Sequence, residues 1–309
     1  MKEGILKYFI AAFSAVVVWG FFSIPLRMLQ DYPSEQILYY RIFTSLLLTW
    51  LYIFLFRKNQ IKLDIEYIQK EEIYSVKKLI WLSLLAGLLI TGNWFTYIYV
   101  VNNVSLKSAA FAYMVCPLIT ALGGFLILKE KLSTLKLVAL GFASVSIVIL
   151  AQGSLKDVLW SVLVAALYSF YLIIQRVMVR IDKFNMLGLH LLIAALLMLP
   201  FFLSDFEFLP SDPKFWITIV VISVFFTIIP LFLSLYALIG MPSSTLGIII
   251  YINPIVAFAV AFFYFHEEIS MVQVYSYLIL LVAVIVFNWA TIKEILFKTP
   301  ANKTPVIIP

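Results

Sequence analysis

The chain has 309 residues, of which 64% are hydrophobic and 12% charged, and its mean hydropathy is +1.06. Soluble proteins carry about 25% charged residues, so this composition excludes a water-soluble enzyme. The net charge of +6 is scattered between apolar runs, which excludes a nucleic-acid-binding protein, and the single cysteine, Cys116, excludes a disulfide framework or a cysteine-based metal site. The chain is therefore predicted to be an integral membrane protein.

Ten apolar runs are long enough to span a bilayer, which takes about 20 residues of helix. Their continuous apolar character, without alternating polar residues, favours helices over a membrane barrel. The first run is too long for the core of a signal peptide and lacks a small-residue cleavage site, so it is predicted as the first span. The predicted spans are residues 5–26, 37–56, 79–101, 105–128, 134–151, 158–175, 185–203, 215–239, 242–265 and 271–292.

The basic residues predict how these spans are oriented. With a cytoplasmic N terminus, 17 of the 22 lysines and arginines fall in cytoplasmic segments and 4 in outer loops. This bias follows the positive-inside rule, so both termini are predicted to be cytoplasmic. The segment 57–78 carries charges of both signs and is predicted to be a solvated surface linker. The tail 299–309, with three prolines, is predicted to be disordered.

A weak internal repeat divides the chain into two halves. An offset of 149, which becomes 137 after the linker, superposes similar residues: Lys7 on Lys156, Arg27 on Arg176, Arg41 on His190, Tyr99 on Tyr236, Pro117 on Pro254, Glu130 on Glu267 and Ser133 on Ser270. Each half holds five spans, an odd number, so the second half enters the membrane in the opposite orientation. Inverted repeats are typical of secondary transporters, whose site lies near the midplane between the halves. Residues 1–152 and 153–298 are therefore predicted to be inverted five-helix repeats of a transporter, and a duplication that only builds a stable bundle is the alternative.

Polar and aromatic side chains near the centre of a span are candidates for a binding cavity. Asn93 lies mid-way along the third span, beside Trp94 and one turn before Tyr97. Its amide both donates and accepts hydrogen bonds, which suits a neutral or zwitterionic solute, and an interhelical hydrogen bond is the equally weighted alternative. Trp19 is a further candidate in the first span, with a lipid-facing position as its alternative.

Two prolines interrupt the fourth and ninth spans at matched positions of the repeat. Each lacks an amide hydrogen and frees the carbonyl group four residues earlier, on Tyr113 and Ile250 respectively. Helix interruptions at matched positions of a repeat indicate a binding site. The alternative is a kink without function, in which a nearby serine or threonine hydroxyl group donates to the freed carbonyl group. The predicted cavity lining includes the residues around these prolines: Tyr113, Pro117, Tyr251, Asn253 and Pro254.

Charged and titratable residues near the span ends are candidates for gating or for structural roles. Arg41, one turn inside the second span, is predicted to snorkel to the headgroups, with a gate or an anion-attracting role as the alternative. Its repeat mate His190 is a hypothetical proton carrier. Glu130 and Glu267 are predicted to be structural, because acidic groups are stable beside helix N-termini. All 16 acidic residues lie at helix ends or in loops, which disfavours proton antiport and leaves facilitated diffusion or exchange open.

Five short stretches carry a family likeness: Gly92-Asn93-Trp94; Val101-Asn102-Asn103; Ser34 to Leu38 leading to Arg41; Ser244 to Gly247 leading to Tyr251-Ile252-Asn253-Pro254; and Phe263-Tyr264 followed by Glu267. Over about residues 8–292 the chain resembles the RarD-type branch of the EamA family, in the drug/metabolite transporter superfamily. The resemblance implies ten helices in a five-plus-five inverted repeat and export of small metabolites or drugs by alternating access. The chain departs from the branch at Cys116, where an asparagine usually precedes the fourth-span proline.

A membrane-embedded enzyme and a channel are the two alternative classes of membrane protein. A membrane-embedded enzyme would need clustered histidines and acids or a nucleophile beside a base, and a channel would need a filter or a charged ring. The sequence contains neither pattern, nor a Walker lysine motif for ATP. The prediction is a plasma-membrane transporter, in the bacterial inner membrane if the resemblance holds, with no cofactor or metal. Its partners are a small solute and lipid, its cavity lies among spans 1, 3, 4, 6, 8 and 9, and its substrate and oligomeric state are left open.

Overall fold

The computed structural model describes residues 2–70, 76–103, 106–150, 155–178, 181–204, 209–266, 271–289 and 293, and the regular elements within them are helical. The first seven helices are α1 (Lys2–Gly20), α2 (Ser23–Arg27), α3 (Ser34–Phe56), α4 (Lys58–Lys70), α5 (Val76–Asn103), α6 (Leu106–Leu128) and α7 (Thr134–Leu150). They are followed by α8 (Leu155–Val177), α9 (Lys183–Ser204), α10 (Pro213–Ser223), a π-helical turn (Val224–Ile228), α11 (Ile229–Gly240), α12 (Ser243–Ile249), α13 (Ile252–Phe263) and α14 (Met271–Phe287). Glu267 and the tail 299–309 lie outside the described residues.

The helices are long and apolar in the places where the sequence predicts spans. Among the described residues, six helical segments have the length and composition to cross a membrane: Leu6–Arg27, Ser34–Phe56, Val76–Val100, Leu159–Val177, Lys183–Ser204 and Pro213–Gly240. Four shorter apolar segments accompany them: Ala112–Leu128, Thr134–Ile149, Ser243–Ala257 and Val274–Phe287. Each of these segments overlaps one predicted run. Large apolar side chains such as Leu126 and Val148 are exposed on their outer faces, as expected for surfaces that lipid covers.

The helices pack against partners that lie far away in the sequence. α1 packs on α11 and α13, and α8 packs on α5 and α6. α3 contacts both α9 and α10, α5 also contacts α9, α7 pairs with α14, and α6 pairs with α12. The largest core cluster combines residues of α1, α3, α5, α6, α8, α9, α11 and α12. The centre of the molecule is therefore built jointly by the earlier and later helices.

The segment 57–78 is not a linker throughout, because its first part forms α4 and docks on the start of α9. Arg57 Nη2 forms an ion pair with Asp182 Oδ2 at 2.8 Å. Asp64 Oδ2 accepts a hydrogen bond of 2.6 Å from Asn185 Nδ2. The prediction from charge was wrong here because lysine, glutamate and glutamine are also good helix formers, and their charges fit the exposed side of an amphipathic helix.

Candidate functional site

A small cavity of about 30 Å³ lies among α1, α3, α5, α6, α8, the π turn and α11. Six residues that the sequence singled out line it: Trp19, Arg41, Asn93, Trp94, Tyr97 and Tyr113. Six others also line it: Phe22, Ile90, Tyr168, Phe226, Thr227 and Leu231. A space of this size holds roughly two water molecules. A metabolite would therefore enter only when the surrounding helices move apart.

Arg41 points into the protein rather than toward the headgroups. Its side chain is 5% exposed, and Nε donates a hydrogen bond of 2.7 Å to Thr227 Oγ1 in the π turn. The carbonyl oxygen of Arg41 accepts a bond of 3.2 Å from Ser223 Oγ. The guanidinium carbon lies 5.2 Å from the ring centroid of Phe22 and 5.1 Å from that of Trp94. The snorkelling prediction is wrong, because a hydroxyl group and two aromatic faces replace the headgroup contacts.

The π turn presents an unusual backbone to the cavity. Pro230 has no amide hydrogen, so the carbonyl group of Phe226, four residues earlier, lacks its normal helical donor. Trp19 Nε1 supplies one, at 3.0 Å. Thr227 Oγ1 donates to the carbonyl oxygen of Ile222 at 3.1 Å. These π-turn residues were not predicted from the sequence, although the proline inside the eighth apolar run is a signal that indicates them.

Asn93 occupies the middle of α5 and is 3% exposed. Its Nδ2 donates a hydrogen bond of 2.9 Å to the carbonyl oxygen of Val164 on α8. The same side chain lines the cavity. The interhelical bond is thus present in the structure, and contact with a solute stays a prediction.

Replacing Asn93 with leucine separates these two roles. The variant loses one interhelical hydrogen bond, worth about 1 kcal/mol in a membrane, so its unfolding temperature in detergent should fall by only a few degrees. Solute exchange in liposomes is expected to fall at least tenfold, because a polar group is removed from the cavity wall. Thr96→Val is the control, since the bonds of the Thr96 hydroxyl within the described residues go to carbonyls of its own helix. Unchanged exchange in Asn93→Leu would contradict the predicted role.

Aromatic rings form much of the cavity wall. Tyr97 and Tyr113 meet edge to face, with their ring centroids 5.4 Å apart. Trp19 and Tyr168 meet in the same way at 5.9 Å. The Tyr168 hydroxyl group is buried in this wall. These contacts join α5 to α6 and α1 to α8 around the cavity.

The predicted lining residues of the ninth span lie elsewhere. The span is broken between α12 and α13, and Tyr251, which is fully buried there, packs in a separate core cluster with residues of α7 and α14. The carbonyl group of Ile250, which Pro254 was predicted to free, accepts a hydrogen bond of 2.9 Å from the amide of Asn253. A tighter turn therefore occupies this carbonyl, and Tyr251, Asn253 and Pro254 do not line the cavity.

Pro117 is also buried outside the cavity, although Tyr113 one turn earlier lines it. Next to Pro117, the carbonyl oxygen of Cys116 accepts bonds of 2.8 Å from Thr120 Oγ1 and 3.0 Å from Ser169 Oγ. These bonds reach the carbonyl group of Cys116 and not that of Tyr113, which Pro117 frees, so both interpretations of this proline stay predictions. Pro117 is thus not among the lining residues of this cavity, and its contact with a solute stays a prediction.

His190 is fully buried between α8 and α9 and is not among the residues that line the cavity. Its Nδ1 is 3.4 Å from the Tyr171 hydroxyl group, and its Nε2 is 3.3 Å from Gln175 Nε2. This setting differs from that of its repeat mate Arg41, and it does not support a matched pair of gates.

Glu130 connects the corner between α6 and α7 to the start of α12. Its Oε1 accepts hydrogen bonds of 2.8 Å from both the amide and the hydroxyl group of Ser243, and Oε2 accepts one of 3.0 Å from the Ser244 amide. Burial raises the pKa of this carboxyl group, but the hydrogen bonds from Ser244 and Ser243 outweigh burial and hold the pKa below its ordinary 4.5. Glu130 thus caps α12, which agrees with its predicted structural role.

The described residues contain no group of three or more histidine, cysteine or acidic side chains that could hold a metal ion. The chemistry that the cavity offers is therefore that of hydrogen bonds, aromatic faces and one guanidinium group. This combination suits the recognition of an organic solute.

Comparison with known proteins gives the family. A family model described as the EamA-like transporter family matches residues 6–152 and 155–289. The Uncharacterized transporter YojE of Bacillus subtilis is 29% identical over 288 residues, which cover 90% of this chain and 92% of that protein. Protein RarD of Streptomyces exfoliatus is 26% identical over 291 residues, which cover 91% and 88%. A solved crystal structure has the same fold, with a TM-score of 0.70 at 15% identity over 93% of this chain and 98% of that one.

The resemblance predicted from short stretches of sequence is therefore confirmed. The apolar helices and the bacterial relatives named as transporters identify a multi-pass protein of the inner membrane. The chain belongs to the EamA-like transporter family.

Proposed function

We propose that this chain is a ten-span secondary transporter that moves a small organic solute outward by alternating access. Residues 1–152 and 153–298 are its inverted repeats, and both termini are cytoplasmic. The observation that carries this proposal is the cavity, because helices from both repeats form it and its lining follows the repeat. The outward direction rests on the family resemblance alone.

Three pairs of lining residues are related by the repeat offsets of 149 and 137: Trp19 with Tyr168, Ile90 with Thr227, and Trp94 with Leu231. Two residues related by an inverted repeat lie on opposite sides of its pseudo-two-fold axis. Both can line one small cavity only when that cavity lies on the axis. The pairs therefore support a site on the axis, near the membrane midplane, as in other transporters built from inverted repeats.

The packing and backbone of the two repeats agree with this symmetry. The contacts of α1 with α13 and α11 correspond to those of α8 with α6 and α5, and the contact of α3 with α10 corresponds to that of α9 with α5. Lys129 and His266, 137 residues apart, have φ angles of 54° and 53° at the ends of α6 and α13. They are the non-glycine residues with positive φ in the described part of the chain. Both observations support an inverted repeat.

The small size of the cavity and its chemistry support a rocking mechanism. Separation of the two repeats on one side would widen the cavity and admit a solute, and separation on the other side would release it. None of the lining side chains identified in the described residues is acidic. This lining favours facilitated diffusion or exchange over antiport with a proton carried by an intramembrane carboxylate.

Counterflow in proteoliposomes tests this function. Liposomes holding the purified chain are loaded with pooled unlabelled amino acids, nucleobases or cationic drugs, and uptake of the matching labelled pool is measured without an ion gradient. Saturable exchange of one pool is expected, and Trp94→Ala should reduce it. Trp81→Ala is the matched control, because Trp81 lies on the same helix and is 64% exposed, away from the cavity.

Two outcomes would overturn the carrier. The first is the absence of exchange from folded protein in every pool. The second is a continuous pore current, which is the signature of a channel.

A further inference from the structure

Arg41 brings a positive charge into the cavity without an acidic partner. Its side chain is 95% buried, and its one hydrogen bond to another side chain in the described part of the chain runs from Nε to Thr227. The two terminal nitrogens, Nη1 and Nη2, have no acceptor among the described residues. The rings of Phe22 and Trp94 offset only part of the lost hydration. A buried positive charge without an acidic partner is costly, so an anion that binds beside Arg41 would be stabilised by it.

The shape of the guanidinium group narrows the choice of anion. Its planar fork of N–H groups matches the two oxygens of a carboxylate, which it binds with two parallel hydrogen bonds. The Nε–H group is already held by Thr227, so the outer edge formed by Nη1 and Nη2 is the part free to bind. Thr227 also fixes the orientation of the guanidinium plane, so that little conformational freedom would be lost on binding.

The remaining walls favour a planar apolar group next to that anion. Trp19, Trp94, Tyr97 and Tyr113 line the same cavity, and the last two meet edge to face. Aromatic rings bind flat apolar groups through stacked and edge-on contacts. The positive charge of Arg41 repels a cation at the same place.

We propose that the cavity takes an aromatic carboxylate, with the carboxylate bound by Arg41 and the ring enclosed by the tryptophan and tyrosine side chains. This inference rests on the proposed function and assigns a substrate class to the same site. In the competing interpretation, Arg41 is a structural clamp, which holds α3 against the π turn and does not bind a solute. The clamp requires the bond to Thr227 and the contacts with Phe22 and Trp94, but it gives no preference among solutes.

Two ligand series that differ only in charge test the proposal. The first is indole-3-acetate, indole-3-acetamide and tryptamine, and the second is phenylacetate, phenylacetamide and phenethylamine. Binding to the purified full chain in detergent is measured by calorimetry, and counterflow of each labelled compound is measured in liposomes. At least one acid should bind tenfold or more tightly than its amide, and the amine should bind most weakly. Arg41→Gln should abolish the preference for the acid and Arg41→Lys should retain part of it, whereas Thr227→Val should keep the preference because the charge remains.

The outcomes separate this inference from the proposed function. Counterflow of an amide or an amine without preference for the acid would overturn the inference and retain the carrier. Binding of the acids with tenfold preference but without counterflow would retain the inference and overturn the carrier. Failure of both acids to bind the wild-type chain, or an unchanged preference in folded Arg41→Gln, would also overturn the inference. If Arg41→Gln does not fold, the ratio of acid to amide binding in the wild-type chain and in Arg41→Lys decides the question.

Discussion

Glu130→Ala is expected to lower the free energy of unfolding by about 3 kcal/mol, because it leaves three donors of α12 without their acceptor. Those donors are the amide and hydroxyl groups of Ser243 and the amide group of Ser244. The carboxylate also lies at the positive end of α12, which adds to its stabilising effect. Thermal unfolding in detergent measures the loss. Glu35→Ala is the control, because Glu35 is exposed in the first turn of α3.

The same interaction predicts a pH dependence. Since the pKa of Glu130 is lower in the folded protein than its ordinary 4.5, the stabilisation is fully present above that value. It is lost as the pH falls through the lower pKa of the folded state. The difference in unfolding temperature between the wild type and Glu130→Ala should therefore be constant near neutral pH and shrink in acid. Equal unfolding temperatures at neutral pH would contradict the assigned capping role.

Gly20→Leu is expected to prevent α1 from packing on α13, at a cost of about 3 kcal/mol or more. A Cβ atom on Gly20 would overlap the side chain of Val256, and it would lie 3.4 Å from the carbonyl oxygen of Asn253. Close contact of membrane helices depends on such small residues, and inserted carbons strain a packed interface. The yield of folded protein and its unfolding temperature measure the effect.

Gly141→Leu is the matched control, because no atom lies within 4 Å of a Cβ built at Gly141. That change should be neutral or slightly stabilising, since glycine weakens a helix. Val256→Ala should recover part of the stability of Gly20→Ala by making room for the added methyl group, which a double-mutant cycle would detect. A fully stable Gly20→Leu protein would show that the two helices do not approach as closely as the structure indicates.

The positions of the apolar helices could be predicted because the thickness of the bilayer dictates their length and composition. It could also be predicted that one cavity holds Asn93, Trp94 and Tyr97, because polar and amphipathic side chains in mid-span face the protein interior. Arg41 was recognised as a candidate but placed at the headgroups. Its partner Thr227 lies 186 residues away, so no local pattern reveals the contact.

The backbone around the prolines depends on tertiary contacts that periodicity does not report. The Phe226 carbonyl group, which Pro230 frees, accepts a hydrogen bond from Trp19 on another helix. The Ile250 carbonyl group, four residues before Pro254, accepts one from the amide group of Asn253. Both prolines have the same local chemistry, and only the packing decides which carbonyl faces the cavity wall. Pro254 was therefore predicted to lie at the site, whereas Pro230 was not.

Two-sided accessibility of a cavity residue tests alternating access most directly. The chain has a single cysteine, so Cys116→Ser gives a cysteine-free background. In that background Leu231→Cys places a thiol group in the cavity wall, where Leu231 is 2% exposed. Labelling with a membrane-impermeant thiol reagent is then measured in right-side-out and inside-out vesicles. Alternating access predicts slow labelling from each side, at rates that change in opposite directions when a transported solute is added. Labelling from one side alone, with or without solute, would contradict it.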